Sequence, residues 1–179
     1  TIMQALIKAG AALLAAVLFT TVAQAASPEN TLVIELKNDK SAVVEIELLP
    51  KLAPGHVERI KKLARAKFYD GIVFHRVIPG FMAQTGDPDG NGTGGSDMPD
   101  LKAEFSGYTY KRGTVGAART ANPDSANSQF FICFDNSGCA HLTGQYTVWG
   151  QVVSGMEHVD KITGPSDRMW KVYLKSEPR

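Results

Sequence analysis

From Thr31 onward the apolar residues gather in short strand-like runs that stop at turn-forming residues. Leu32 to Leu36 and Ala42 to Leu49 are two such runs, parted by Asn38-Asp39-Lys40. In the second, Val44, Ile46 and Leu48 alternate with Val43, Glu45 and Glu47, the pattern of a half-buried antiparallel hairpin. Further strand-like runs follow at Ile72 to Ile78, Thr114 to Ala118, Gln129 to Phe134, Tyr146 to Val153 and Lys171 to Lys175. Twice the period becomes helical. Pro54 suits a first helical turn, and Val57, Ile60, Leu63 and Ala64 share a face among Glu58, Arg59, Lys61, Lys62 and Arg65. Met156, Val159 and Ile162 mark a second short helix after Gly155. About eight short strands with two helices predict a mainly β fold, a closed eight-stranded antiparallel β-barrel capped by two α-helices. No linker or repeat divides residues 26–179, so they read as one domain.

Residues 1–25 follow a different rule. Lys8 is their one charge, Ala9 to Phe19 is an unbroken run of small and apolar residues, and Ala23-Gln24-Ala25 has the small-x-small form of a signal-peptidase site. A transmembrane anchor needs roughly 20 apolar residues, and this run meets Thr20, Thr21 and Gln24 too soon. A secretory signal peptide is expected, with Met3 a candidate start, and hence export to the periplasm with no membrane association after cleavage.

Charge excludes another class. Nineteen Lys plus Arg against eighteen Asp plus Glu, with no basic block, leave no electrostatic footprint for nucleic acid. The four histidines, His56, His75, His141 and His158, form no HxH or HxxxH pair, so no metal site is expected. Cys133 and Cys139 can bridge in an oxidising compartment. Cys133 lies inside a strand-like run, however, where the separation a bridge requires is often denied, so a small buried hydrophobe is the favoured reading.

The residue clusters carry the chemistry. Phe74-His75-Arg76-Val77-Ile78-Pro79-Gly80-Phe81-Met82-Ala83-Gln84 sets Phe74 and Arg76 on one side of a strand and His75 on the other. This segment alone leaves open a structural arginine paired with a carboxylate. Ser128-Gln129-Phe130-Phe131-Ile132 and His141-Leu142-Thr143-Gly144-Gln145-Tyr146-Thr147-Val148-Trp149-Gly150 follow, and Phe68-Tyr69-Asp70-Gly71 precedes. In this order the motifs resemble the cyclophilin family of peptidyl-prolyl isomerases, specifically its exported bacterial branch, over about Thr31 to Ile162.

The resemblance implies a role for each matching position. Arg76 looks like the family's catalytic arginine. Phe81, Met82, Phe131 and Leu142 match its proline pocket, and Gln84 and Gln129 match polar positions beside the peptide. Ala118 and Arg119 fall where backbone groups hold an extended chain, and Gly92 to Gly95 matches a loop lining a neighbouring pocket. Three positions depart from the family's habit: Ala117 replaces a frequent Met, His141 the usual Trp, and Tyr146 the frequent His. His141 and Tyr146 still fall on site-lining positions, and the departures bear on substrate range and inhibitor binding. The implied partners are proline-containing polypeptides and folding exported proteins, with weak cyclosporin binding, no cofactor and a monomeric state.

The chemistry agrees with the motifs. Rotation about an X-Pro bond meets a barrier of about 18 to 20 kcal/mol set by amide resonance, yet breaks no bond, so it requires neither nucleophile nor base nor metal. It requires a donor that favours the twisted state over the planar one. Two other classes compete. Asp87, Asp89, Asp97 and Asp100 around the glycine loop are candidate hydrolase carboxylates, although turns select Asp for local hydrogen bonding. A catalytically silent peptide-binding module on the same scaffold is the second.

Overall fold

The computed structural model describes residues 26–179; the expected signal peptide lies outside them. The hairpin forms as its alternation dictates, with β1 (Thr31–Glu35) antiparallel to β2 (Val43–Leu48). In β2 the buried positions are Val44, Ile46 and Leu48. The turn between them closes with Lys40 at φ 59° and with Ser41 N–H donating to Asp39 Oδ1 at 3.0 Å.

α1 (Pro54–Arg65) starts at the proline, whose φ is already helical. Ala53 at its N-cap has no side-chain acceptor, so the free N–H groups there need a partner from elsewhere. Glu104 supplies it, accepting from Gly55 N and His56 N at 3.0 Å each, and also from the His56 ring Nδ1. Burial holds the His56 imidazole below its ordinary value of 6.5, against the pull of Glu104. Burial pushes the Glu104 carboxyl up, but the bonds from the His56 ring and the helix N–H groups outweigh it and keep the group low. The unfolded chain therefore takes up a proton near pH 6.5 that folded His56 resists, and stability falls as pH drops from about 6.5 toward the folded value. A second loss follows below 4.5, the ordinary value of Glu104, as its carboxylate is protonated. A urea midpoint that declines from neutral pH into the acid range is expected; a flat midpoint across that range contradicts this account of the helix start.

Among the described residues the remaining strands and second α-helix are β3 (Arg76–Ile78), β4 (Met82–Thr85), β5 (Thr114–Ala117), β6 (Phe130–Cys133), β7 (Val148–Ser154), α2 (Met156–Val159) and β8 (Lys171–Leu174). All eight strands join one antiparallel sheet in the order β3-β4-β6-β5-β7-β2-β1-β8. The expected closed barrel is corrected here: the sheet is a curled half-barrel whose edges, β3 and β8, share no ladder. What links these edges is the chain just before each, through one bridge, Val73 to Arg168, and bonds such as Phe74 N to Asp167 O.

Two further expectations change. The run Ile72 to Ile78 enters the ladder only at Arg76, so strand alternation does not hold across Phe74 to Arg76: Phe74 is fully buried and Arg76 exposed. β4 is a separate strand that the sequence reading did not single out.

Alternation also divides the sheet into two faces. Ala83, Phe130, Ile132 and Trp149 join Leu32, Ile46, Val172 and the apolar stripe of α1 in the main core. Phe130 packs edge-on against Trp149 and Tyr69 at 5.2 and 5.6 Å. Their neighbours Met82, Phe131 and Cys133 belong to a second apolar cluster with Tyr110, Leu142 and Val148.

Candidate active site

That second cluster floors a groove of about 300 Å³, and all the expected site residues except Gln129 line it: Arg76, Phe81, Met82, Gln84, Ala118, Arg119, Phe131, His141, Leu142 and Tyr146. Gln129 lines the adjoining cavity of about 550 Å³, beside Gly92 to Gly95, and shares Gln84, Ala118 and Arg119 with the groove.

Strand register assembles the centre. Arg76 on β3 pairs with Gln84 on β4, Gln84 with Phe131 on β6, and Phe131 with Gly116 on β5, one row across four strands. Residues paired across a ladder project to the same face, so the cation, the amide and the ring meet there. Arg76 Nη1 donates to Gln84 Oε1 at 3.3 Å, Gln84 Nε2 to Gln129 Oε1 at 2.9 Å, and Gln129 Nε2 to the carbonyls of Gly92 and Gly94 at 3.1 and 2.9 Å. This chain of amides sets the guanidinium against the glycine loop. Among the described residues no carboxylate lies within ion-pair distance of Arg76, which removes the structural ion pair left open by the sequence.

The apolar wall is equally fixed. Met82, Phe131 and Leu142 are buried. Phe131 stacks on Tyr110 at 5.8 Å and meets Tyr146 edge-on at 5.9 Å. Tyr110 is fully buried, and its hydroxyl faces the carbonyls of Tyr146 and Thr147 at 3.2 and 3.3 Å. Sequence reasoning missed Tyr110, which lies outside any periodic run. It also missed Gly116, although glycine inside a strand is a signal of close approach: a Cβ there would stand 2.1 Å from Tyr110 Oη and 2.6 Å from Phe131 Cζ.

His141 and Leu142 sit on a single 3₁₀ turn, Ala140–Leu142, immediately after Cys139. Here the favoured reading of unbridged cysteines is overturned, since Cys133 and Cys139 form a disulfide across a Cα separation of 6.1 Å. The turn carrying part of the groove wall is thereby tied to β6. The His141 ring lies 5.4 Å from that of Phe81.

Two of the glycine-loop carboxylates, Asp87 and Asp100, have structural work. Asp87 is 1% exposed and accepts from the N–H groups of Asp89, Asn91 and Gly92. Burial alone would raise its pKa, but backbone N–H bonds outweigh it and hold the carboxyl below its ordinary value. Asp100 accepts from Asn127 Nδ2 at 3.0 Å. No three His, Cys, Asp or Glu side chains come together as a metal set among the described residues.

Comparison with known proteins places this geometry. Residues 31–175 match the family model described as cyclophilin type peptidyl-prolyl cis-trans isomerase/CLD. The chain is 57% identical over 156 residues to a probable peptidyl-prolyl cis-trans isomerase of Brucella suis, covering 81% of this chain and 77% of that protein. It is 47% identical over 116 residues to peptidyl-prolyl cis-trans isomerase B of Bacillus subtilis, covering 64% and 78% respectively. Among solved structures, cyclophilin AquaCyp293 from Hirschia baltica superposes with a TM-score of 0.75 at 26% identity, over 87% of this chain and 77% of that one. A Cryptosporidium parvum cyclophilin determined in the presence of the dipeptide Ala-Pro shares the fold at a TM-score of 0.72 and 24% identity, over 80% of this chain and 98% of its own.

Proposed function

The chain belongs to the cyclophilin-type peptidyl-prolyl cis-trans isomerases, and from that membership we propose that Arg76 drives the isomerisation by donating to the prolyl nitrogen. As the amide twists, that nitrogen loses conjugation and becomes pyramidal, gaining a lone pair that a guanidinium N–H can bond. The planar ground state offers no such acceptor, so the interaction favours the transition state selectively. Phe81, Met82, Phe131 and Leu142 hold the proline ring while the other side of the amide turns. Gln84 and Gln129 position Arg76 and meet the peptide backbone. The observation that carries this reading is a groove-lining cation that has no carboxylate partner among the described residues, held by an amide chain beside a buried apolar pocket.

Substrates are proline-containing polypeptides, and the working site is the periplasm, where the protein assists folding of exported chains. The leader pattern of residues 1–25 supports this placement, as does a disulfide suited to an oxidising compartment. A protease-coupled assay on an X-Pro peptide tests the activity, and refolding of a protein limited by proline isomerisation, a step otherwise lasting tens to hundreds of seconds, tests the folding role. Acceleration of both is expected; cleavage of the peptide by this chain with the coupling protease left out, or no acceleration, contradicts the reading.

His141 sets the response to cyclosporin. An imidazole buries less aromatic area than the indole usual at this position and moves the N–H donor. Weak inhibition is expected of the natural chain, and His141→Trp is expected to tighten it by about 1 to 3 kcal/mol. An inhibition titration of both forms decides; tight inhibition of the natural chain, or no gain with Trp, contradicts this.

A further inference from the structure

We propose that Arg119 sets the substrate preference of the groove, favouring peptides that carry a carboxylate within two residues of the proline. The inference rests on the isomerase reading and narrows its substrate class. Arg119 lines both cavities, at the boundary between the proline groove and the glycine-loop cavity. Its guanidinium lies over the Tyr146 ring at 4.3 Å, with the exposed Phe105 ring at 5.8 Å.

Nε and Nη2 donate to the Gln145 carbonyl at 3.2 and 2.7 Å, and Nη1 donates to the Thr120 carbonyl at 2.9 Å. Of the five donors of a guanidinium, one on each terminal nitrogen stays open. Carbonyl dipoles and ring faces fix the position of this cation without neutralising it. Among the described residues no acidic side chain lies within ion-pair distance of Arg119. Among the described residues no Asp or Glu lines the proline groove. The one that lines the neighbouring cavity, Asp100, accepts from Asn127. A chain of net charge +1 thus concentrates two unopposed guanidinium groups, Arg76 and Arg119, on one substrate-sized surface. The field there is local and owes nothing to bulk charge.

Distance fixes the register. The Tyr146 ring touches both Arg119 and the proline pocket, 4.3 Å from the Arg119 guanidinium and 5.9 Å edge-on from the Phe131 ring. An extended peptide advances about 3.3 Å per residue, and a glutamate side chain adds its own reach. A carboxylate one or two residues from the proline therefore meets the open donors, while a lysine at the same place is repelled.

The test uses the whole protein and peptides that differ only by Glu or Gln at each of the two positions on either side of the proline. Cis-trans exchange is read by NMR, so that no coupling protease imposes a preference of its own. At low ionic strength, kcat/KM is expected to be about two- to fivefold higher for Glu than for Gln at one or more positions, the scale of an exposed ion pair. The advantage is expected to shrink as salt is added. Arg119→Gln should bring the Glu-to-Gln ratio close to one, and Arg119→Lys should preserve part of it. A merely structural Arg119 lowers both rates and leaves their ratio unchanged. Equal rates at every position, a ratio insensitive to salt, or the same ratio in Arg119→Gln overturns the proposal. Absence of exchange with any peptide instead overturns the isomerase reading beneath it.

Discussion

Arg76→Ala is expected to lower kcat about a hundred- to a thousandfold while changing the dissociation constant of a proline peptide by only a few-fold. The scale is that of removing one donor aimed at a developing transition-state charge, roughly 3 to 4 kcal/mol. The asymmetry follows from where the donor acts. Planar amide nitrogen is no acceptor, so the ground-state complex loses little. Binding rests on the buried wall of Met82, Phe131 and Leu142, which this substitution does not reach. Arg76→Lys is expected to restore little, because an ammonium cannot bond Gln84 and the prolyl nitrogen from one planar group. Steady-state kinetics beside a binding titration check this. A variant that keeps turnover but loses affinity removes Arg76 from the chemical step.

The second large effect is expected at Gly116. Its absent side chain is the space into which the Phe131 ring and the Tyr110 hydroxyl fit, and a methyl group there would stand 2.6 Å and 2.1 Å from them. Both neighbours are buried, and the Tyr110 hydroxyl is bonded behind to the carbonyls of Tyr146 and Thr147. Yielding therefore means displacing the wall of the groove. Gly116→Ala is expected to destabilise by about 1 to 3 kcal/mol, the usual scale of overpacking. It should also cut kcat/KM at least about tenfold, since misplacing Phe131 by 1.4 kcal/mol of lost contact suffices for that. Gly107→Ala is the control: it meets open space without a positive φ, and a change within about 0.5 kcal/mol is expected. Urea midpoints and peptide kinetics on both variants decide. Indistinguishable behaviour of the two means that the Gly116 contact does not shape the site.

What was legible in the sequence was local. Alternation in Val43 to Leu48 and the stripe Val57, Ile60, Leu63 and Ala64 are properties of neighbouring residues, and they reappear as β2 and the buried face of α1. The groove residues sit on contiguous motifs, so their shared location followed from resemblance. The row Arg76, Gln84, Phe131 and Gly116 is a matter of register between segments far apart in the chain, which no local pattern reports. Strand number alone did not settle closure, because the edges β3 and β8 meet only through the irregular chain before each of them. The disulfide was disfavoured on strand geometry. That geometry constrains Cys133 alone, since Cys139 stands at the start of a 3₁₀ turn that folds back onto β6. The glycine-loop carboxylates were ambiguous for a related reason: only the bonds from Asp89, Asn91 and Gly92 identify Asp87 as the loop's internal anchor.

One measurement separates an isomerase working through Arg76 from a silent peptide binder on the same fold. NMR exchange spectroscopy on a proline peptide reports both binding and the rate of cis-trans interconversion in the same sample. With the natural chain, cross-peaks between cis and trans signals are expected to grow within seconds at catalytic protein concentration, far faster than the uncatalysed tens to hundreds of seconds. With Arg76→Ala, the peptide signals should still shift on binding while those cross-peaks vanish. Binding shifts without exchange in the natural chain, or undiminished exchange in the variant, contradicts the account.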